Sequence, residues 1–314
     1  MDVSFDEDLR DARRAHRVRN RRATRTVATN DDVNATLLRG HPAGAPPVVR
    51  GPLAVGGPAL EGAFHVLYRP EAAALIVVGP VDPDQVVGWA RESFGKWRGV
   101  GPGPSPLTPS LVSVDPPGPA SRTILLYPVE DRSTTKVTVE CLLTPGSTAS
   151  ARAVLGALAE QELWRRLREA QGLTYAPGTE VWDVGYGTAT LSAKASVAPG
   201  SATRALEEML KMFADIAAGN IDADALGRAR NAAARQRAFQ LSTVSGLNDA
   251  LARLWEAGRP FSEIDAPMEA GPSFSPVAGL LARCIGHEVA TVIGGSADVE
   301  SASTRWPEAR TVRR

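Results

Sequence analysis

Metal-assisted chemistry requires ligands at fixed spacing, and the histidines of this chain do not have it. Zinc takes nitrogen, sulfur or carboxylate donors, and one helical face presents two histidines to one ion only when they lie a turn apart. The four histidines are His16, His41, His65 and His287, and no two are four residues apart. An H-x-x-E-H pair therefore cannot form. His41 reads as a turn residue, His65 as a residue on a short helix and His287 as a strand-entry residue beside Glu288, all in surface or capping roles, while His16 lies among arginines that disfavour a cation. Cys141 and Cys284 sit inside apolar patterns and read as buried free thiols, with neither a disulfide scaffold nor a cysteine metal cluster. That reading fits a reducing, cytoplasmic compartment. Gly178, Gly185 and Gly187 are not followed by a helix and lack the lysine and hydroxyl of a phosphate-binding loop. Any hydrolysis in which this chain takes part must use groups from another chain.

Charge excludes further classes. Lysine plus arginine equal aspartate plus glutamate at 35 each, which removes a global electrostatic case for nucleic acid or membrane surfaces. The arginines from Arg10 to Arg25 are interleaved with Asp2, Asp6, Glu7, Asp8 and Asp11, unlike a transit peptide, and no secretory apolar core follows. Acids first and arginines later suit a solvated helix aligned with its own dipole. The longest apolar runs, such as Ala72 to Val78, are far too short to span a bilayer.

At 314 residues the chain is long enough for two domains. Helices are expected over 5–28, Val33 to Leu38 and Leu60 to Tyr68, and AAALIVVG reads as a strand buried on both faces. Asp82 then caps an amphipathic helix with Pro83 in its first turn. Gly99 to Ala120, rich in proline, glycine and serine, reads as a linker. Beyond it, RTILLYPV and TTKVTVECLL read as strands, Ser150 to Ala170 as a helix, and 180–184 and 189–195 as two more strands. Helices follow at about 201–218, 222–241, 245–257 and 275–285, then a last strand and helix. In the long ones, Leu206, Leu210, Phe213, Leu226, Ala229 and Ala233 form core stripes. This block order is an α+β arrangement.

An internal repeat sharpens the domain reading. ALIVVGPVDPDQV from Ala74 aligns without gaps with ATVIGGSADVESA from Ala290, pairing Gly79 with Gly295 and Asp82 with Asp298. Taken at face value, the chain holds two domains of one design. These are a partial first domain over 1–99, a linker over 100–120 and a complete second domain over 121–314. The first is expected to be N-terminally incomplete, leaving strand edges and an apolar face that a partner or a missing segment must cover.

The stretch from Phe64 to Gly99 resembles the middle of the pitrilysin, insulysin and mitochondrial-processing-peptidase family of inverted zinc peptidases, in its tyrosine-proline, apolar strand, G-x-V-D and F-G-x-W order. LWRRLREAQGLTY, from Leu163 to Tyr175, is similar to that family's L-R-E-x-x-G-L-x-Y signature. With the GHPAG turn at Gly40, the resemblance covers roughly residues 1 to 310. It implies paired α+β domains of the LuxS/processing-peptidase-like metallohydrolase type. In such clam-shells one half binds zinc through H-x-x-E-H plus a distal glutamate, and some bacterial members split these roles between two chains. This chain departs at the zinc end, since Val18 and Arg19 stand about where the distal glutamate is expected.

The resemblance further implies that Arg168 and Tyr175 contact bound peptide. Arginine offers a fixed fork of donors to a carbonyl or carboxylate, and a tyrosine hydroxyl can donate to a developing oxyanion. Arg168 belongs in the last turn of its helix, Gly172 can end that helix in the left-handed conformation, and Tyr175 opens the next strand. From spacing alone, Arg168 could instead pair with Glu162 or Glu169 while Tyr175 simply packs. Glu160, Arg165 and Arg166 read as solvated helix face. The expected function is thus the non-zinc, substrate-holding subunit of a heterodimeric metallopeptidase that cleaves peptides or unfolded segments. No metal is held in this chain, and zinc is supplied by a zinc-bearing partner of the same family. The alternative is a catalytically inactive scaffold of the same fold. A third reading places an H-x-x-E-H motif in frame upstream of Met1.

Overall fold

The computed structural model describes residues 29–44, 57–99, 121–130, 132–185, 188–222, 224–256, 260–264 and 274–312. The helix expected over 5–28, with His16, Val18 and Arg19, and the linker over 100–120 lie outside the described residues. In chain order the helices are α1 (29–37), α2 (Gly57–Leu67), α3 (Pro83–Phe94), α4 (Ala149–Leu163), α5 (Ala202–Ala218), α6 (Ala225–Leu241), α7 (Val244–Glu256), α8 (Phe274–Gly279) and α9 (Ser296–Arg305). The strands are β1 (Thr123–Pro128), β2 (Thr135–Leu142), β3 (Gly178–Gly185), β4 (Thr188–Val197), β5 (Val289–Gly294) and β6 (Arg310–Thr311). No described helix is long and apolar enough to cross a membrane.

The chain divides into two compact units. The larger comprises Val33–Pro46, Leu111–Ala238 and Ala266–Arg314. Its mixed sheet has the order β3-β4-β2-β5-β1-β6. β5 is central, parallel to β1 through Ala290 opposite Ile124 and antiparallel to β2 through Ala290 opposite Val139.

Period-two alternation divides the side chains between the two faces of the sheet. Val137, Val139 and Cys141 of β2 and Leu191 and Ala193 of β4 pack into the main core with Leu155 and Leu158 of α4 and Leu206 and Phe213 of α5. Full burial of each such leucine or phenylalanine is worth roughly 1.5–3 kcal/mol. The expected core stripes of α5 and α6 form, with Leu226 only partly buried at the margin. On the opposite face Leu125, Tyr127, Leu142 and Val289 form a second cluster with Val33, Leu37 and Leu38.

Asp298, 1% exposed in the first turn of α9, fastens several elements together. Its carboxylate accepts from the Thr135 hydroxyl at the start of β2 and from the amides of Gly200 (2.9 Å) and Ala202 (3.4 Å) at the entry to α5.

Two expectations are corrected in this unit. Cys141 and Cys284 are not free thiols but joined in a disulfide, their Cα atoms 5.0 Å apart across a sequence separation of 143. Apolar surroundings in sequence cannot show such pairing, because only the fold brings β2 beside the segment after α8. The bridge withdraws the argument for a reducing compartment. The helix expected over 275–285 stops as α8 at Gly279 and continues as tighter turns, such as Cys284 N–H to the Leu281 carbonyl at 2.9 Å.

The smaller unit comprises Met1–Asp32, Pro47–Ser110 and Phe239–Asp265. Within it α3 starts as expected, with Pro83 at its first position and the Asp82 carboxylate accepting from the Asp84 amide at 2.8 Å. The run before it does not become the buried strand that its apolar character predicts. Residues 73–78 carry no strand pairing, and Leu75 and Val77 are 60% and 45% exposed. The physical reason is pairing: an apolar run becomes a strand only where neighbouring strands take up its backbone groups. The backbone groups of Ala74, Leu75, Val77 and Val78 have no partner among the described residues. The Ile76 carbonyl accepts from Asn248 of α7 at 3.2 Å. Neither α2, α3 nor α7 contains a buried residue.

Candidate functional site

The site forms where α4 ends. Thr148 caps its start, accepting from the Ala151 amide at 3.1 Å. The helix then widens into a π-helical turn over Trp164–Glu169, closed by the Ala170 amide donating to the Arg165 carbonyl at 2.9 Å. Single π turns inside helices frequently mark functional sites. Gly172, at φ +60°, ends the helix in the left-handed region as expected, and the amides of Gly172 and Leu173 turn back to the carbonyls of Arg168 (3.0 Å) and Leu167 (2.7 Å). Any side chain at this position would strain the backbone. Thr174 then pins the loop to β4 by donating its hydroxyl to the Ser196 carbonyl at 2.7 Å.

This turn brings the two sequence-designated residues together. The guanidinium carbon of Arg168 lies 4.7 Å from the Tyr175 ring centroid and 4.5 Å from the Trp164 ring centroid. The cation thus contacts two rings, each contact worth about 0.5–1 kcal/mol at an exposed site. Tyr175 is 81% exposed, and it stands in the loop three residues before β3 rather than opening that strand. The loop position follows from Gly172 and Leu173, whose hydrogen bonds use the intervening residues to reverse the chain.

Arg168 forms no ion pair with a described carboxylate, and Glu162, one of the two acids that spacing offered it, is engaged by Arg165 and Arg166. Glu162, 2% exposed, binds Arg165 at 2.6 Å and Arg166 at 3.2 Å, and Arg166 also reaches Asp215 of α5 at 2.7 Å. Burial alone raises the Glu162 carboxyl, but hydrogen bonds and charge from Arg165 and Arg166 outweigh it and hold the group below the usual carboxylate range. The same bond to Glu162 raises Arg165 further. Arg166 is therefore not solvated helix face. One turn from Glu162 and directed toward α5, it is part of a buried ion-pair network. Glu160 and Arg165 are exposed and border a cleft of about 570 Å³ between α4 and α6 that Trp164 also lines.

Sequence reasoning missed Trp164. It lies four residues before Arg168, on the same helical face, and that spacing was the available signal. The described histidines, His41, His65 and His287, have no contact with Arg168 or Tyr175. His41 is buried and accepts from the Ala43 amide at 3.1 Å, capping as expected but not at the surface, because its ring closes the turn beneath it. His65 of α2 lies 3.8 Å from Glu61. His287 precedes β5, where its neighbour Glu288 binds Arg122 at 3.1 Å. Among the described residues no group of three His, Cys, Asp or Glu side chains comes together to hold a metal.

Residues 58–233 match the family profile described as the peptidase M16 inactive domain, a span that includes α3, Arg168 and Tyr175. The chain belongs to this family. The pitrilysin-like resemblance of its two signatures and its mixed α/β fold are thereby established. The M16 inactive domain described here superimposes on a protease from Helicobacter pylori with a TM-score of 0.75 at 13% identity, covering 93% of this chain and 73% of that one. It is also similar to the first half of the periplasmic protease PqqL from Escherichia coli (TM-score 0.67, 11% identity, covering 92% of this chain and 65% of that one). A third likeness is to a peptidase M16 inactive domain from Pseudomonas fluorescens (TM-score 0.67, 14% identity, covering 85% and 65%). At these identities the likeness is one of fold. The chain spans about 65% of the length of two of these relatives. No curated protein matches the sequence. What this M16 domain carries is a non-catalytic M16-like fold.

Proposed function

We propose that this chain is the substrate-holding, zinc-lacking subunit of a two-chain metallopeptidase acting on short or unfolded peptides. The observation that carries the reading is the Arg168 guanidinium, which lies over both the Trp164 and Tyr175 rings with no ion-pair partner among the described residues, beside a largely exposed tyrosine. Lying over aromatic rings, a guanidinium keeps N–H groups available as a preset fork for a peptide carbonyl or terminal carboxylate. The Tyr175 hydroxyl is a donor for the oxygen that gains negative charge as the peptide bond is attacked. Zinc, which activates water in such peptidases, belongs in this reading to a partner chain of the same family.

The test is reconstitution. This chain, mixed with an H-x-x-E-H family member from the same genome, is assayed on a fluorogenic unfolded peptide. Activity is expected only in the mixture, and Arg168→Ala or Tyr175→Phe lowers it. Full turnover by the double variant removes the substrate-contact assignment, and an inert mixture leaves the scaffold reading.

A further inference from the structure

Arg166 is a buried cation with acceptors on two helices, and it sits inside the π turn that carries Arg168. Its guanidinium donates through Nε to Glu162 of α4 at 3.2 Å and through Nη1 to Asp215 of α5 at 2.7 Å. Asp215 lies 49 residues from Arg166 in sequence, one turn before Gly219 ends α5. Peptide contact, as proposed, uses none of these three side chains.

Their role follows from the backbone they hold. A regular helix bonds each amide to the carbonyl four residues back, whereas the Ala170 amide donates to Arg165, five back. That inserted residue shifts the register of all that follows, at about 100° of rotation per residue. The chain then reverses at once, with Gly172 and Leu173 bonded to the carbonyls of Arg168 and Leu167 and with Thr174 tied to Ser196 of β4. The far side of the turn is thus fastened to the sheet, and the placement of Arg168 against Tyr175 depends on how the near side is held. Leu163 and Leu167 are fully buried there, but apolar burial is non-directional and does not choose between α and π winding. A planar guanidinium gripped by two carboxylates is directional.

We infer that Arg166 and Asp215 are positioning residues: their ion pair between the turn and α5 holds the π winding, and that winding keeps the Arg168 guanidinium over the Tyr175 ring. The consequence for peptide rests on the proposed two-chain function, and the geometric part does not. Substrate affinity at Arg168 then depends on a carboxylate of another helix, outside the signature that contains Arg168 and Tyr175.

The experiment compares Asp215→Asn and Arg166→Lys, each alone and combined with Arg168→Ala. Asparagine removes the charge at nearly constant shape, and lysine keeps a charge but loses the fork that spans two carboxylates. Hydrogen exchange with mass spectrometry on the full chain reads the geometry without peptide. Fragments covering 164–175 are expected to exchange at least about fivefold faster in both variants, with fragments of β2 and β5 unchanged. In the mixture with an H-x-x-E-H family member from the same genome, each variant is expected to raise KM about fivefold and to leave kcat within about twofold. Added to Arg168→Ala, neither has a further effect, since residues that act through one another are not additive. Asp215→Glu, which keeps the charge, is expected to recover most of the wild-type KM. An equal rise in KM in both backgrounds overturns the inference, as does unchanged exchange over 164–175 or faster exchange spread equally to β2 and β5. Wild-type cleavage with KM unmoved by Asp215→Asn overturns it too and leaves the peptidase reading standing. Faster exchange confined to 164–175, in a protein whose wild-type mixture cleaves nothing, supports the positioning of Arg168 and removes the peptidase reading.

Discussion

Arg168 and Tyr175, seven residues apart in sequence, meet, with the guanidinium carbon over the ring at 4.7 Å from its centroid. The stack separates two roles that the sequence motif joins. Tyr175→Phe keeps the ring against the guanidinium and removes only the hydroxyl. In the reconstituted enzyme it is expected to lower kcat by about 10²-fold, the cost of one oxyanion donor, with little change in KM. Arg168→Ala is expected chiefly to raise KM. Steady-state kinetics on one peptide distinguishes the two patterns.

Trp164 is the second ring against the Arg168 guanidinium and makes no peptide contact in this reading. Trp164→Phe keeps an aromatic face and is expected to retain most activity. Trp164→Ala frees the guanidinium and is expected to raise KM by roughly the 2- to 5-fold that corresponds to about 0.5–1 kcal/mol of lost stacking. Parallel thermal melts check that the fold survives, and equal kinetics for both variants remove the positioning role.

How far sequence sufficed depends on what each residue needs to know about distant parts of the chain. Asp82, Pro83 and Gly172 act within a turn of themselves, so their capping roles and φ requirement were legible from neighbours alone. Arg168 and Tyr175 were legible only through the family signature, and their direct contact was not, because the π turn that sets their relative placement has no sequence marker. The bridge between Cys141 and Cys284 and the burial of Arg166 against Asp215 depend on packing between distant elements. Residues 73–78 show the limit from the other side: apolarity marked a strand, but periodicity says nothing about whether its neighbours are present.

The Glu162 network ties stability to acid. Because the folded carboxyl titrates below its ordinary value, its stabilising contribution is complete above about pH 4.3, the unfolded glutamate value, and is lost as pH falls through the lowered folded value. Glu162→Gln is therefore expected to flatten the melting temperature profile between about pH 5 and 3. Arg166→Leu, which removes one partner of a buried pair, is expected to cost roughly 3–5 kcal/mol near neutrality. Urea unfolding across pH measures both.

Glu140 of β2 is shifted in the opposite direction. Burial raises its carboxyl, Lys194 lowers it, Glu180 raises it and Lys136 lowers it, with a net rise. A raised carboxyl contributes stability below the unfolded glutamate value and loses it as pH rises through the folded value. Glu140→Gln is therefore expected to raise the melting temperature at pH 7 relative to wild type and to show a smaller advantage at pH 4. The pH dependence tests the shift, since a packing effect alone moves both temperatures equally.

The repeated aspartates permit one comparison inside a single chain. Asp298 is buried and accepts from Thr135, Gly200 and Ala202, so Asp298→Ala strands donors from two elements at once. Hydrogen bonds to a charged group contribute about 1.5–3 kcal/mol each, and the loss is expected to reach at least about 3 kcal/mol, enough to threaten the larger unit. Asp82 is exposed and accepts from the Asp84 amide in its own helix. Asp82→Ala in the isolated chain is expected to cost only the value of an N-cap, about 0.5–2 kcal/mol, confined to α3. Denaturant melts of the two variants give the two costs, and equal losses at both positions would remove the distinction between a local cap and a buried anchor.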